Sequence, residues 1–80
     1  MSDTLSTLSS YIARDILKQP NRTIAPDAKL ISSGLVDSFS LVALSEFVQD
    51  TFGVTIDDTE LNAQTFDTLA QLTELVESRQ

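Results

Sequence analysis

The chain has no cysteine and no histidine among its 80 residues, and only two glycines and two prolines. Without cysteine it can build neither a disulfide framework nor a thiolate metal site. Without histidine it lacks the usual general base and the usual transition-metal ligand. Long apolar runs are missing as well: none approaches the ~20 residues that a membrane span requires. The opening residues MSDTLSTLSS have neither a basic n-region nor an apolar h-region, so no secretory signal is read and the cytoplasm is the default location. Basic residues are scarce, five against twelve acids for a net charge of -7. That balance argues against a nucleic-acid partner, because neutralising phosphates takes clustered Lys and Arg. Basic protein surfaces are the partners it favours.

What is present is unevenly arranged. Arg14, Lys18, Arg22 and Lys29 lie early, whereas Leu30 to Ser78 holds nine acids and no base, a segment with a continuous negative field. Eighty residues form a single domain, residues 1–80, able to bury roughly 60% of the surface its unfolded chain exposes. A domain of this size has little room for a deep enzyme cleft.

Apolar spacing sets the elements. Leu5, Leu8, Ile12 and Ile16, with Leu17 beside them, predict a first helix over about residues 4–18, capped by Asp3 or Thr4 and stopped by Pro20. The run QPNRTIAPDAKLISSG reads as a long loop pinned by Ile24, Leu30, Ile31 and Leu35. Leu41, Leu44, Val48 and Phe52, widened by Phe47, predict a second helix over about 38–52, closed by Gly53 in the left-handed conformation. Val54 and Ile56 then suggest an extended linker, and the acids Asp57 and Asp58 before Thr59, Glu60 and Leu61 suggest one short helical turn. Leu69, Leu72, Leu75 and Val76 predict a last helix over about 67–78, with Asp67 as cap and Phe66 as staple. The expected fold is all-α: a small four-helix bundle of three main helices and one short one, with a long loop between the first two.

The stretch SGLVDSFSL carries the chemistry. Ser38 as a nucleophile would need a base, and the chain offers no histidine and no GxSxG elbow. A self-contained hydrolase is therefore disfavoured. Asp37 or Ser38 can serve as the N-cap of the second helix, and a phosphate ester on Ser38 would meet unpaired N–H groups and the positive end of the helix dipole. Phe39 and Val42 flank this point as either loop packing or a partner surface. Asp57, Asp58 and Glu60 lack the spacing and the glycine of an EF-hand, and no metal site is expected.

Taken together, the triplet Asp37-Ser38-Phe39 preceded by Gly34 in GLVDS, Leu30 four residues before that glycine, the helical LVALSEFV, FGVTI at 52–56 and TFDTLAQL at 65–72 resemble an acyl or peptidyl carrier protein. The family usually has Asp-Ser-Leu where this chain has Asp-Ser-Phe. The resemblance spans the chain from the first helix to Val76. It implies that Ser38 receives the 4'-phosphopantetheine arm of coenzyme A from a separate phosphopantetheinyl transferase, with Asp37 supporting placement of metal and cofactor during transfer. The arm's thiol would hold an acyl or aminoacyl cargo as a thioester, and the absence of cysteine would keep the protein from discharging its own cargo by thiol exchange.

The same resemblance places the partner surface on Phe39, Val42, Glu46, Asp50, Ile56 and Asp57. Ala43, Ser45 and Gln49 stand where fatty-acid-synthesis carriers have more acids, which points away from fatty-acid elongation. The implied partners are an adenylating acyl or aminoacyl ligase, as for D-alanyl and natural-product carriers, and downstream tailoring, condensing or transfer enzymes. The expected protein is a monomer and not an enzyme. The competing reading is a non-covalent helical adaptor, or degenerate carrier, that binds partners through the second helix unmodified.

Overall fold

The apolar repeat at the start of the chain folds into α1 (Asp3–Tyr11) in a computed structural model that describes residues 3–80. Asp3 and Thr4 both lie inside its first turn, and Thr4 is buried with Leu8. The helix continues as a wider π turn over Ile12–Ile16, where the Leu17 N–H donates to the Ile12 carbonyl five residues back, at 2.9 Å. This turn carries two consecutive residues, Ile12 and Ala13, into the core. Lys18 then takes a left-handed conformation (φ 58°) and the Gln19 N–H donates to the Ala13 carbonyl at 2.7 Å. The helix therefore ends slightly short of residue 18, and Lys18 ends it before Pro20 is reached.

The long connection that follows is held from inside. Ile24, Leu30 and Val36 are buried, while Ile31 and Leu35 are partly buried against the core. Completely burying a leucine such as Leu30 is worth about 1.5–3 kcal/mol. The backbone is also tied across the molecule: the Leu30 N–H donates to the Asp67 carbonyl at 2.5 Å and the Ala70 N–H to the Pro26 carbonyl at 2.8 Å. Gly34, at φ 82°, closes a turn on Ile31.

α2 (Ser38–Phe52) buries Leu41, Leu44 and Val48 as one stripe and ends as expected at Gly53, whose φ of 72° suits glycine. On its flank the Phe47 ring stacks on Tyr11 with centroids 4.0 Å apart, and Phe52 meets Phe47 edge-on at 6.4 Å. Val54 and Ile56 are both buried, with Thr55 exposed between them. The expected short helix is reduced to a single 3-10 turn, Asp58–Glu60, capped by Asp57, whose carboxylate accepts from the Thr59 N–H.

α3 (Leu69–Arg79) buries Leu69, Leu72, Thr73 and Val76 and packs on α1. The Thr73 hydroxyl, buried among them, donates to the Leu69 carbonyl at 2.9 Å, which removes the cost of an unpaired polar group. Its start corrects the expected boundary. Thr68, not Asp67, is the cap, and it forms a capping box with Gln71. Asp67 is diverted to another task described below, and Phe66 is a fully buried core residue. The fold is all-α, with three helices and no strand among the described residues apart from one isolated bridge between Lys29 and Thr68.

Candidate functional site

Ser38 is the first residue of α2 and is exposed. The structure decides between its two possible caps: Asp37 caps the helix, with its carboxylate accepting from the Ser40 N–H at 2.8 Å. The Ser38 hydroxyl is thus free of the capping task and sits at the positive helix end. The Ser40 N–H, joined by the Ser40 side chain, holds the Asp37 carboxyl below the ordinary aspartate range, so Asp37 is ionised at neutral pH one residue from the serine.

The entrance to α2 is positioned by Asp67. Its carboxylate accepts from the Ile31 N–H at 3.1 Å, the Ser32 N–H at 2.9 Å and the Ser32 hydroxyl at 2.7 Å. Ser33 adds a bond from its hydroxyl to the Lys29 carbonyl. The Ser32 donors, chiefly its N–H, hold the Asp67 carboxyl below the ordinary aspartate range, and the bonds fasten the loop before Ser38 to the start of α3.

Beside the serine lies a depression of about 210 Å³ lined by Ser38, Leu41, Val42, Asp58 and Leu61. The 3-10 turn and Leu61 form the wall opposite α2. Val42, 47% exposed, makes the helix side of the depression apolar, and Phe39, next to Ser38 in the chain, is 88% exposed; these are the large hydrophobic side chains that the described residues leave in solvent. Ser38, Val42, Glu46 and Asp50 recur at four-residue intervals and are all exposed, so they form a ridge along one side of α2. Asp57 is exposed across the gap, and the Thr59 N–H and hydroxyl hold its carboxyl below the usual range.

Among the described residues the ion pairs are Arg14 with Asp15 and Glu60 with Arg79. Glu46, Asp50, Asp57 and Asp58 are therefore left without a cationic partner. No group of three or more His, Cys, Asp or Glu able to hold a metal occurs among those residues. Of the expected site residues, Ser38, Val42, Glu46 and Asp50 lie along one exposed side of α2 and Asp57 is exposed in the segment after it. Ile56 is only 6% exposed and belongs to the core, which removes it from the expected contact surface. Asp58 and Leu61, which line the depression, were not anticipated there; their signal was the polar-to-apolar pattern DDTEL just after the extended segment.

A second hollow, of about 340 Å³, runs between α1 and α2 past Ser10, Tyr11, Arg14, Phe47 and Thr51. It does not include Ser38. Comparison with curated protein sequences found no match. Comparison with family models did: the family described as phosphopantetheine attachment site matches residues 4–76. The chain belongs to that family. It is a phosphopantetheine-carrying carrier protein, with 4'-phosphopantetheine as its covalently attached cofactor. An exposed hydroxyl at a positive helix end, beside a shallow depression with Leu41, Val42 and Leu61 in its walls, fits a phosphodiester continuing into a partly apolar arm. Such a carrier interacts with a phosphopantetheinyl transferase and with partner enzymes. No described helix is long and apolar enough to cross a membrane.

Proposed function

We propose that Ser38 is the attachment residue and that the carrier works as a discrete shuttle for an acyl or aminoacyl group. The observation that carries this reading is an exposed serine at the first position of α2 that the neighbouring Asp37 relieves of capping. The bound arm supplies a terminal thiol that holds cargo as a thioester. The residues of the chain do the rest. Ser38 offers its oxygen, the first turn of α2 stabilises the phosphodiester charge, and ionised Asp37 supports placement of metal and cofactor during transfer. No base within the chain is needed, because the phosphopantetheinyl transferase supplies the catalysis, and the carrier itself catalyses nothing.

Phe39 and Val42 are the apolar contacts for enzymes that approach Ser38. Glu46, Asp50 and Asp57 are unpaired acids suited to basic enzyme surfaces and to faster encounter at low salt. The partners we infer are an adenylating acyl or aminoacyl ligase and downstream tailoring, condensing or transfer enzymes in natural-product, lipid or D-alanine-type chemistry, in the cytoplasm. Incubation with coenzyme A and a broad-specificity transferase is expected to add one phosphopantetheine by intact mass, and Ser38→Ala to abolish the addition. A wild-type mass that stays unmodified while a control carrier is loaded overturns the reading. Partner binding that survives Ser38→Ala without any mass shift in cells would instead favour the non-covalent adaptor.

A further inference from the structure

Apart from Leu61, which packs partly buried against the core, the wall of the depression that faces α2 has little of its own to hold it. The 3-10 turn Asp58–Glu60 contains no buried residue. Among the described residues, the hydrogen bonds made by positions 55–65 run to neighbours no more than four residues away, with one exception: the Thr55 carbonyl accepts from the Arg79 guanidinium at 3.2 Å. Arg79 also approaches Glu60 Oε2 at 2.6 Å, with the two side chains 37% and 27% exposed. That oxygen is itself buried and makes no well-directed hydrogen bond, so the cation at the end of α3 is its partner. Arg79 is the one base in the chain after Lys29. A single side chain thus grips both ends of the segment from Thr55 to Glu60, and Asp58 and Leu61 on that segment line the depression with Ser38.

We propose that Arg79 is a positioning residue for the Ser38 site, holding the turn at Asp58–Leu61 in place as the wall opposite α2. The geometry favours arginine, whose planar fork can serve a carbonyl and a carboxylate at once. The inference rests on the reading of Ser38 as the attachment residue. Its consequence is that an enzyme docking on Ser38 meets a preformed surface, and that loosening Arg79 raises the cost of docking without touching the serine.

The test combines amide exchange with transferase kinetics on the full chain. In Arg79→Ala the amides of Glu60 and Leu61 are expected to exchange roughly tenfold faster while those of Leu44, Val48 and Leu72 keep their wild-type rates, as for local opening. With coenzyme A saturating, KM for the carrier is expected to rise by roughly threefold to tenfold, with kcat within about twofold of wild type, the pattern of a lost docking contribution. Arg79→Lys, which keeps the charge but not the fork, is expected to recover only part of the KM. Unchanged exchange at Glu60 and Leu61, faster exchange throughout the core, or a carrier KM equal to wild type would each overturn the proposal. A wild-type chain that the transferase does not load would count against the attachment reading instead, and the exchange rates would then decide alone whether Arg79 orders the turn.

Discussion

Two connections flank Ser38, and they are held by different means. The one before it, from Gln19 to Asp37, is long yet bolted from within by Ile24, Leu30 and Val36 and tied to the start of α3 through Asp67. The connection after α2 begins with a shorter stretch, Gly53 to Leu61, that carries the wall facing Ser38. It buries Val54 and Ile56 near its start, but the 3-10 turn that follows is gripped by Arg79 through one hydrogen bond and one partly exposed ion pair. Buried apolar contacts lose much when broken, whereas a partly exposed ion pair contributes under about 1 kcal/mol. The long connection fixes the helix entrance on which Ser38 stands, and the shorter stretch forms the wall opposite, held at its turn by Arg79.

The contrast breaks most visibly at Leu30. Leu30→Ala is expected to cost about 2–5 kcal/mol of folding stability, as other fully buried leucines do, measured by denaturant or thermal unfolding. A loss below about 1 kcal/mol, the scale of a surface substitution, would mean that the long connection is not anchored by its apolar residues after all.

Asp67 tests the polar half of the same anchor. Its carboxyl is held below its ordinary value, first by the Ser32 N–H, so the sign follows. An acid whose folded value is depressed adds stability that is present above the unfolded value of about 3.9 and lost as pH falls through the folded value. Asp67→Asn keeps an oxygen for the N–H donors but loses the charge. The variant is expected to melt below wild type at neutral pH, by less than Leu30→Ala does, and the gap is expected to narrow as the pH drops below about 4. A gap that is constant from neutral to acid pH would show that the charge on Asp67 contributes nothing.

Asp67 also explains where the sequence was and was not legible. α2 could be read nearly to the residue, because its cap, its stripe Leu41-Leu44-Val48 and its closing Gly53 are all local signals. Asp67 looked like the cap of α3 on equally local grounds. It was drawn away by Ser32, 35 residues distant in the chain, and no local pattern carries that information. Ile56 was misplaced for the opposite reason. The alternation Val54-Thr55-Ile56 implies that the two apolar residues share an inward face, a local signal at odds with the contact role that the family resemblance implies. The π turn at Ile12–Ile16 left no mark in the apolar spacing. The serine and its exposed neighbours Phe39 and Val42 were readable; the wall made by Asp58 and Leu61 was not, since it depends on how a turn folds back.

The two connections also begin alike, each with a residue in the left-handed conformation, and here the comparison can be reduced to one backbone state. Lys18, at φ 58°, leads into the long connection, and Gly53, at φ 72°, opens the shorter stretch. A Cβ on Gly53 would meet nothing within 4 Å, so Gly53→Ala probes backbone conformation without a clash. Left-handed geometry costs an L-residue about 1–2 kcal/mol, part of which is returned because alanine has less freedom than glycine to lose from the unfolded chain. Gly53→Ala is therefore expected to destabilise by about 1 kcal/mol, and Lys18→Gly to stabilise by a similar or smaller amount, near 0.5–1 kcal/mol. Opposite shifts in melting temperature from two substitutions outside the core would trace both to the same dihedral. If Lys18→Gly instead destabilised, the lysine side chain would have to be holding the helix end by contacts of its own, and the long connection would owe its start to packing rather than to a strained turn.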